Sequence, residues 1–511
     1  MQRSLIAIIL GFLLVGLVVA ACGPQESAGT PEEEPATTDA EPADTEEEAP
    51  AEEAEAEETT TDEEEAPEEA EEPVDTEAGA ATGGSITFWS TETQPERVEA
   101  TQAILDNFEA ESGITVELVQ ADEDALSQLT TAAVAAGDLP DVIFHPIDFT
   151  IGWYEEGILD AEAAASVIDE LGADTFAEGP LNLVEVDEGY TAVPSDGWGQ
   201  LLIYRTDLFE EAGLEPPTSY DLITAAAEQL HNPDESFYGI TSASAAGEVF
   251  TQQSFEHFAL ANNCQLVDDA GSATLNSPTC IEAVTAYTNL LGNYGPPGEG
   301  TVESTRATYF AGQSAMVIWS PFILDEMAGL RDEAPPTCPE CADNPAFLAE
   351  NSGLVPAFEG PSGAPSQYGQ ISYMGITTNA DTEASIEFLR YWFDEAYLDW
   401  LAVSPEGKLP MRSGTADEPT RWVDGWAQLE TGVDRKATLG DLYGDEVIQL
   451  LVEGANNFQR WGFSQGEGAL VTATYQDLPV PLFLRDVLDE VLTPEEAAEE
   501  MQLSVEDLQR E

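Results

Sequence analysis

Trp89-Ser90-Thr91-Glu92 closes a short β-rich run that opens at Ser85. His145 and Asp148 follow a second apolar run, Asp141-Val142-Ile143-Phe144. An aromatic face beside hydroxyls and carboxylates suits recognition of a hydroxylated ring: the face covers C–H surface and the polar groups bond hydroxyls. Bond-breaking constellations are absent or badly placed. Gly462-Phe463-Ser464-Gln465-Gly466 has the G-x-S-x-G spacing of a nucleophile elbow, but polar Asn456, Asn457, Gln459 and Arg460 precede it where a buried strand belongs. All three histidines (His145, His231 and His257) come before that serine, and the hydrolase order needs one after it. H-E-x-x-H, P-loop and EF-hand patterns do not occur. Among 101 Asp and Glu residues, carboxylate pairs arise by chance and give no glycosidase signal. The expectation is a binding protein rather than an enzyme, with no cofactor and no metal.

The elements around these residues alternate. Ser85 to Trp89 reads as a strand. Val98, Ile104, Leu105 and Phe108 recur at helical spacing over 95–111, and Gly113 stops that helix. Ile114 to Val119 is a second strand, 123–136 a second helix with Leu126, Leu129 and Val134 on one face, and Asp141 to Phe144 a third strand. Strand–helix–strand–helix–strand within 60 residues predicts an α/β fold with a parallel sheet. Ligands of such sheets sit at the carboxyl ends of strands, which points to the loops after Trp89 and Phe144.

Several stretches resemble a known family. Gly137-Asp138-Leu139-Pro140-Asp141-Val142-Ile143 matches a turn-and-strand, and Trp153 to Leu159 the helix after it. Val193-Pro194 through Leu202 to Leu214 is the most specific segment; Ala315 to Ile318 with Ser320-Pro321, and Ile371 to Asn379, complete the set. Together they resemble the bacterial extracellular solute-binding proteins of ATP-driven (ABC) importers, the maltose-binding-protein-like family 1, from about residue 85 to 510. The resemblance implies a two-lobe, type II periplasmic-binding fold with discontinuous lobes and a hinge. One lobe would comprise 85–195 plus 356–420 and the other 196–355 plus 421–511, with Pro194 and Val355-Pro356 as candidate crossovers. It also implies a cleft that closes on a ligand, and delivery of that ligand to transmembrane importer subunits.

On that resemblance the cleft-facing candidates are Trp89, Ser90, Glu92, His145, Asp148, Asp196, Trp198, Trp319, Phe322, Tyr373 and Arg412, with Asp148 where the family often has a hydroxyl-binding acid. Each has a plainer alternative, because most tryptophans are core and most of these acids are solvated surface. Trp392, Trp400 and Trp461 lie in apolar stripes and are expected to be core. A sugar is the first expectation for the ligand. A cationic solute such as a polyamine is the alternative, since an acidic field attracts it; a ligand-sensing lipoprotein without transport is a further one.

Cys264, Cys280, Cys338 and Cys341 allow three pairings, of which we expect Cys264–Cys280 and Cys338–Cys341. The rival is a four-thiolate zinc site, prompted by the Cys-x-x-Cys at 338–341.

The N-terminus supplies a location. Met1 to Ser4 holds one basic residue, and Leu5 to Ala21 is apolar or small throughout. Val19-Ala20-Ala21-Cys22-Gly23 resembles a bacterial lipobox, which implies a signal peptide over 1–21, a diacylated Cys22 and an extracytoplasmic protein anchored to the cell membrane. Residues 22–84 form an acidic linker with 25 Asp or Glu and no Lys or Arg, too poor in apolar residues to fold. As a flexible coil it spans about 45 Å. The whole chain carries 14 Lys and Arg against 101 Asp and Glu, a formal charge of −87. That excludes nucleic-acid binding through phosphate neutralisation and disfavours anionic ligands. A monomer is expected.

Overall fold

Ile86 and Phe88 are buried while Thr87 and Trp89 are only partly so, the period-two signature of a strand covered on one face. This strand, β1 (Ser85–Ser90), sits inside a seven-stranded sheet. The computed structural model describes residues 84–510, Glu188 excepted. The expected signal segment 1–21, Cys22 as the expected lipid-bearing residue, and all but the last residue of the expected 22–84 linker lie outside the described residues.

The other strands that position the site are β2 (Thr115–Gln120), β3 (Val142–Pro146), β4 (Val193–Gly199), β5 (Leu201–Arg205), β6 (Met316–Trp319), β7 (Ser352–Val355), β8 (Gln367–Ile376), β9 (Leu409–Pro410) and β10 (Phe458–Gln459). The large sheet has the order β9-β4-β8-β3-β1-β2, and β10 adds to β8. β1 pairs in parallel with β2 and β3, and β8 runs antiparallel to both β3 and β4. The second sheet has the order β6-β5-β7.

The helices used below are α1 (Pro95–Ser112), α2 (Leu126–Ala136), α3 (Ile147–Glu155), α4 (Ala161–Leu171), α5 (Val249–Leu260), α6 (Thr382–Asp394), α7 (Tyr397–Leu401) and α8 (Gly468–Asp477). α1 ends as its sequence predicts. Gly113 takes φ 75°, and its N–H returns to the carbonyl of Glu109, a left-handed cap that favours glycine. The α6 face of Phe388, Leu389, Trp392 and Phe393 is buried, and Phe388 and Trp392 each meet the Phe88 ring edge-on at 5.5 Å. Trp392, Trp400 and Trp461 are fully buried, as expected.

The passage between the two sheets lies later than Pro194. β4 stays paired to β8 as far as Gly199, and Gln200 then leads into β5 of the other sheet. The 195/196 boundary thus falls inside β4. The physical reason is a bulge. Ser372 faces Asp196 but the next residue, Tyr373, faces Pro194, so Ser195 is the extra residue on β4. A bulge accommodates a proline that cannot donate to the ladder. Gln200 is tied on both sides, its N–H donating to Tyr368 O at 3.0 Å and its carbonyl accepting from Gln367 Nε2 at 2.9 Å.

The sulfurs of Cys264 and Cys280 stand 2.06 Å apart and those of Cys338 and Cys341 1.94 Å apart, two separate pairs at bonding distance. Among the described residues no three His, Cys, Asp or Glu side chains gather as a metal-holding group. Each of the 13 Lys and Arg residues after position 84 lies within 4.0 Å of a carboxylate or donates to a backbone carbonyl of the chain itself.

Candidate functional site

The turn after β1, the bulged part of β4, the middle of β8 and the loop before β9 converge on one cavity of about 230 Å³. Glu92 and Arg97 reach it from the β1 side, Asp196 and Trp198 from β4, Gln370 and Ser372 from β8, and Ser404 and Lys408 from the loop. Phe322, which follows β6 of the second sheet, closes it. Trp198 meets the Phe322 ring at 6.1 Å in an edge-on arrangement. Two glycines permit close packing around the cavity. A Cβ on Gly197 would come within 2.4 Å of the Gln370 carbonyl oxygen, and one on Gly407 within 2.1 Å of the Phe322 ring. A larger groove of about 910 Å³ lies between α1 and α6, remote from the strand ends that form ligand sites in such sheets.

Three carboxylates, Glu92, Glu123 and Asp196, and two cations, Arg97 and Lys408, line the cavity. Lys408 Nζ lies 2.7 Å from Glu92 Oε1 and 3.2 Å from Asp196 Oδ2. Arg97 Nη1 donates to the other Glu92 oxygen at 2.8 Å. Burial pushes the Glu92 carboxyl up, but Lys408 and then Arg97 outweigh it and hold the group down at about 2. Asp196 also accepts from Ser195 Oγ at 2.7 Å and Trp400 Nε1 at 2.5 Å. Both of its oxygens are therefore satisfied despite burial.

A second polar cluster adjoins the first through Gln370. Its Nε2 donates to Asp148 Oδ2 at 3.0 Å, and its Oε1 accepts from Arg460 Nη1 at 2.6 Å and from the Tyr368 hydroxyl at 3.1 Å. Arg460 is buried. It lies 3.2 Å from Glu256 and 3.5 Å from Asp148, with its guanidinium 4.6 Å from the Tyr368 ring centroid. Burial pushes the Glu256 carboxyl up, further than Arg460, the Tyr475 hydroxyl and the Trp461 N–H bring it back.

Of the residues expected from sequence, Glu92, Asp196, Trp198 and Phe322, with Thr91, line the cavity. Asp148 faces the adjoining cluster. The others are placed elsewhere, each for a physical reason. Trp89 packs against the small cluster of Leu126, Ile143 and Trp153. Ser90 is buried, and its Oγ accepts the Glu92 N–H at 3.2 Å. Trp319 is buried against Phe250, with ring centroids 4.7 Å apart. Tyr373 is fully buried and donates to the Pro180 carbonyl at 2.9 Å. His145 is fully buried too, with Nδ1 donating to the Pro146 carbonyl at 3.0 Å. Burial holds His145 down at about 4, so it is neutral near pH 7. Arg412 is a structural cap. Its guanidinium donates to Leu171 O at the end of α4 (2.9 Å), Phe393 O near the end of α6 (3.0 Å) and Asp394 (2.8 Å). Carbonyls at helix ends lack intrahelical donors, and a cation there also suits the helix dipole.

Sequence reasoning did not find Lys408, Arg97, Gln370 or Arg460. One signal was available for Lys408: the chain has only two lysines, at 408 and 436. Ser464, of the G-x-S-x-G pattern, is exposed on a single turn of 3-10 helix, Phe463–Gln465, not at the end of a buried strand.

Three similarities bear on this arrangement. The Escherichia coli (strain K12) protein YcjN, named as an ABC transporter periplasmic-binding protein, is 29% identical over 400 residues, covering 76% of this chain and 86% of that protein. Maltose-bound T. maritima MalE3 superposes with a TM-score of 0.58 at 18% identity, over 83% of this chain and 100% of that one. A solute-binding protein of an ABC transporter from Agrobacterium radiobacter K84, in complex with ribitol, gives 0.57 at 18% identity over 83% and 99%. The two structural likenesses establish the fold as the two-lobe, maltose-binding-protein-like type. The family described as bacterial extracellular solute-binding protein matches residues 92–398, and the chain belongs to that family.

Proposed function

We propose that this protein captures a neutral sugar or alditol in the cavity between its two sheets and delivers it unchanged to the membrane subunits of an ABC importer. The observation that carries the reading is the pairing of two aromatic rings, Trp198 and Phe322, with carboxylates already matched by Lys408 and Arg97. Rings of this kind cover the C–H faces of a polyol, and ion-paired carboxylates still accept hydroxyl hydrogens. At about 230 Å³ the cavity falls below the ~300–1,000 Å³ of drug-sized sites, which favours one sugar ring or an alditol over an oligosaccharide. The ribitol and maltose held by the two structural relatives agree with this class. A cationic ligand has the net field in its favour, but Glu92 and Asp196 are already matched by Lys408 and Arg97.

Thermal-shift screening against monosaccharides, alditols and polyamines tests the assignment, because a tight ligand raises apparent stability by mass action. Stabilisation by a sugar or alditol is the expected result, and stabilisation by polyamines alone would overturn it. Trp198→Ala should weaken that ligand by about 2 kcal/mol, roughly 30-fold, on titration calorimetry. Unchanged affinity in the variant removes Trp198 from the site.

We infer also that the protein is an extracytoplasmic, monomeric lipoprotein held through Cys22, with the acidic segment to residue 84 as its tether. The 264–280 and 338–341 pairs are then disulfides, as an oxidising location permits. Intact mass spectrometry of the mature protein should give a diacylated N-terminal Cys22 and a mass four hydrogens below the all-thiol form. An unmodified Cys22, or four alkylatable thiols in denatured, unreduced protein, sinks the respective part. In the chain-entropy model the 264–280 bridge stabilises by about 3 kcal/mol.

A further inference from the structure

Lys408 sits in a cage that is chemically an amine site. Its ammonium touches the carboxylates of Glu92 (2.7 Å) and Asp196 (3.2 Å). It also lies 4.0 Å from the centroid of the Trp400 ring and 5.2 Å from that of Phe144. Two carboxylates and two aromatic faces around one ammonium are the groups by which a free alkylammonium is recognised. The cage is continuous with the cleft, because Glu92, Asp196, Phe144 and Lys408 all line the cavity.

The loop that delivers the ammonium is fastened at several points. Trp426 Nε1 donates to the Pro405 carbonyl at 2.9 Å, Ser404 Oγ to Glu406 Oε1 at 3.1 Å, and Arg331 lies 3.2 Å from the same Glu406 oxygen. Beyond the loop, Leu409 and Pro410 pair with β4 opposite Gly197 and Asp196. Lys408 is thus presented by an anchored segment, next to the strand that carries one of its two carboxylates.

We propose that Lys408 is a tethered occupant of an ammonium site, and that its presence is what makes this cleft refuse cationic solutes. The folded part carries 76 acidic and 13 basic residues, so its field draws cations toward every opening. A cleft meant for neutral solutes needs a device against them. A lysine held by a short anchored loop is at an effective concentration that dilute free amines do not match. Without it, Asp196 keeps only the neutral donors Ser195 and Trp400, and Glu92 keeps only Arg97. The inference goes beyond the function proposed above: it assigns a cause to what the cleft excludes, and stands whichever neutral solute is bound.

The test is titration calorimetry of the full chain with putrescine, wild type against Lys408→Met, which keeps an apolar stem and removes the charge. The wild type should show no binding up to millimolar putrescine. The variant should bind it at least 100-fold more tightly, and adding Glu92→Gln should abolish most of that gain. Putrescine binding to the wild type, a folded Lys408→Met protein that ignores putrescine, or a gain that survives Glu92→Gln each overturns the proposal. If Lys408→Met does not fold, Lys408→Ala is refolded with and without propylammonium. Concentration-dependent recovery of the folded state supports the caged-ammonium reading, and no recovery overturns it. A wild type that binds neither sugars nor alditols would overturn the proposed function and leave this result intact.

Discussion

Replacing Arg460 by leucine should cost about 3–5 kcal/mol of stability, the range for leaving a buried charge without its partner. Arg460 and Glu256 both have fully buried side chains and meet at 3.2 Å. Without the guanidinium, Glu256 keeps only the Trp461 N–H at 2.8 Å and the Tyr475 hydroxyl at 2.6 Å. Burial already pushes that carboxyl up, and losing the guanidinium removes the largest influence holding it down. Adding Glu256→Gln to Arg460→Leu should recover most of the loss, because the orphaned charge is then gone. Urea unfolding midpoints of the two single variants and the double decide it. A loss under about 1 kcal/mol in Arg460→Leu, or no recovery in the double variant, contradicts the account.

The second large effect is a loss of stability in mild acid. His145 is held down at about 4 and His257 at about 3, both because burial penalises the charged ring. An unfolded chain takes up these protons as pH falls through about 6.5, while the folded protein refuses them until about 4 and about 3. The unfolded state therefore binds more protons within that window. The contribution of the two histidines is full above about pH 6.5 and falls below it by about 1.4 kcal/mol per pH unit for each of them. The decline flattens as the folded groups finally protonate. Glu256, whose carboxyl is raised, acts in the opposite sense as pH falls. His257 Nδ1 accepts the Tyr368 N–H at 3.1 Å, and glutamine offers a replacement acceptor there. His257→Gln should flatten the slope between pH 6.5 and 4.5 relative to the wild type, read from chemical unfolding midpoints. Equal slopes would show that His257 is not held neutral.

The first three strands and their helices were legible because each is a short apolar run stopped by a glycine or a polar turn. Predicted 95–111 is Pro95–Ser112, and predicted Asp141 to Phe144 is Val142–Pro146. The helix predicted over 123–136 begins with a turn of 3-10 helix, Glu123–Ala125, before Leu126. The exact place where the chain changes sheet was not legible at Pro194. The resemblance gave the crossover only approximately, and the bulge at Ser195 lets the strand continue past Pro194 through Asp196, which lines the cavity, to Gly199. Residue type alone did not separate ligand-facing polar groups from those that serve the backbone. Arg412, Tyr373 and His145 have the chemistry of a sugar site, yet each bonds a carbonyl of its own chain. The reverse holds for Lys408 and Arg460, which a sequence reader assigns to the surface and the fold buries.

The pairing of every lysine and arginine of the folded part within the chain has a consequence for the solution around it. With 76 acidic against 13 basic residues after position 84, most carboxylates have no cation of the polypeptide to match them. Neutrality must come from dissolved counterions, so the molecule behaves as a compact polyelectrolyte whose mutual repulsion weakens as the Debye length shortens. Its colloidal behaviour is set by the ionic strength of the medium rather than by any complementary patch of its own.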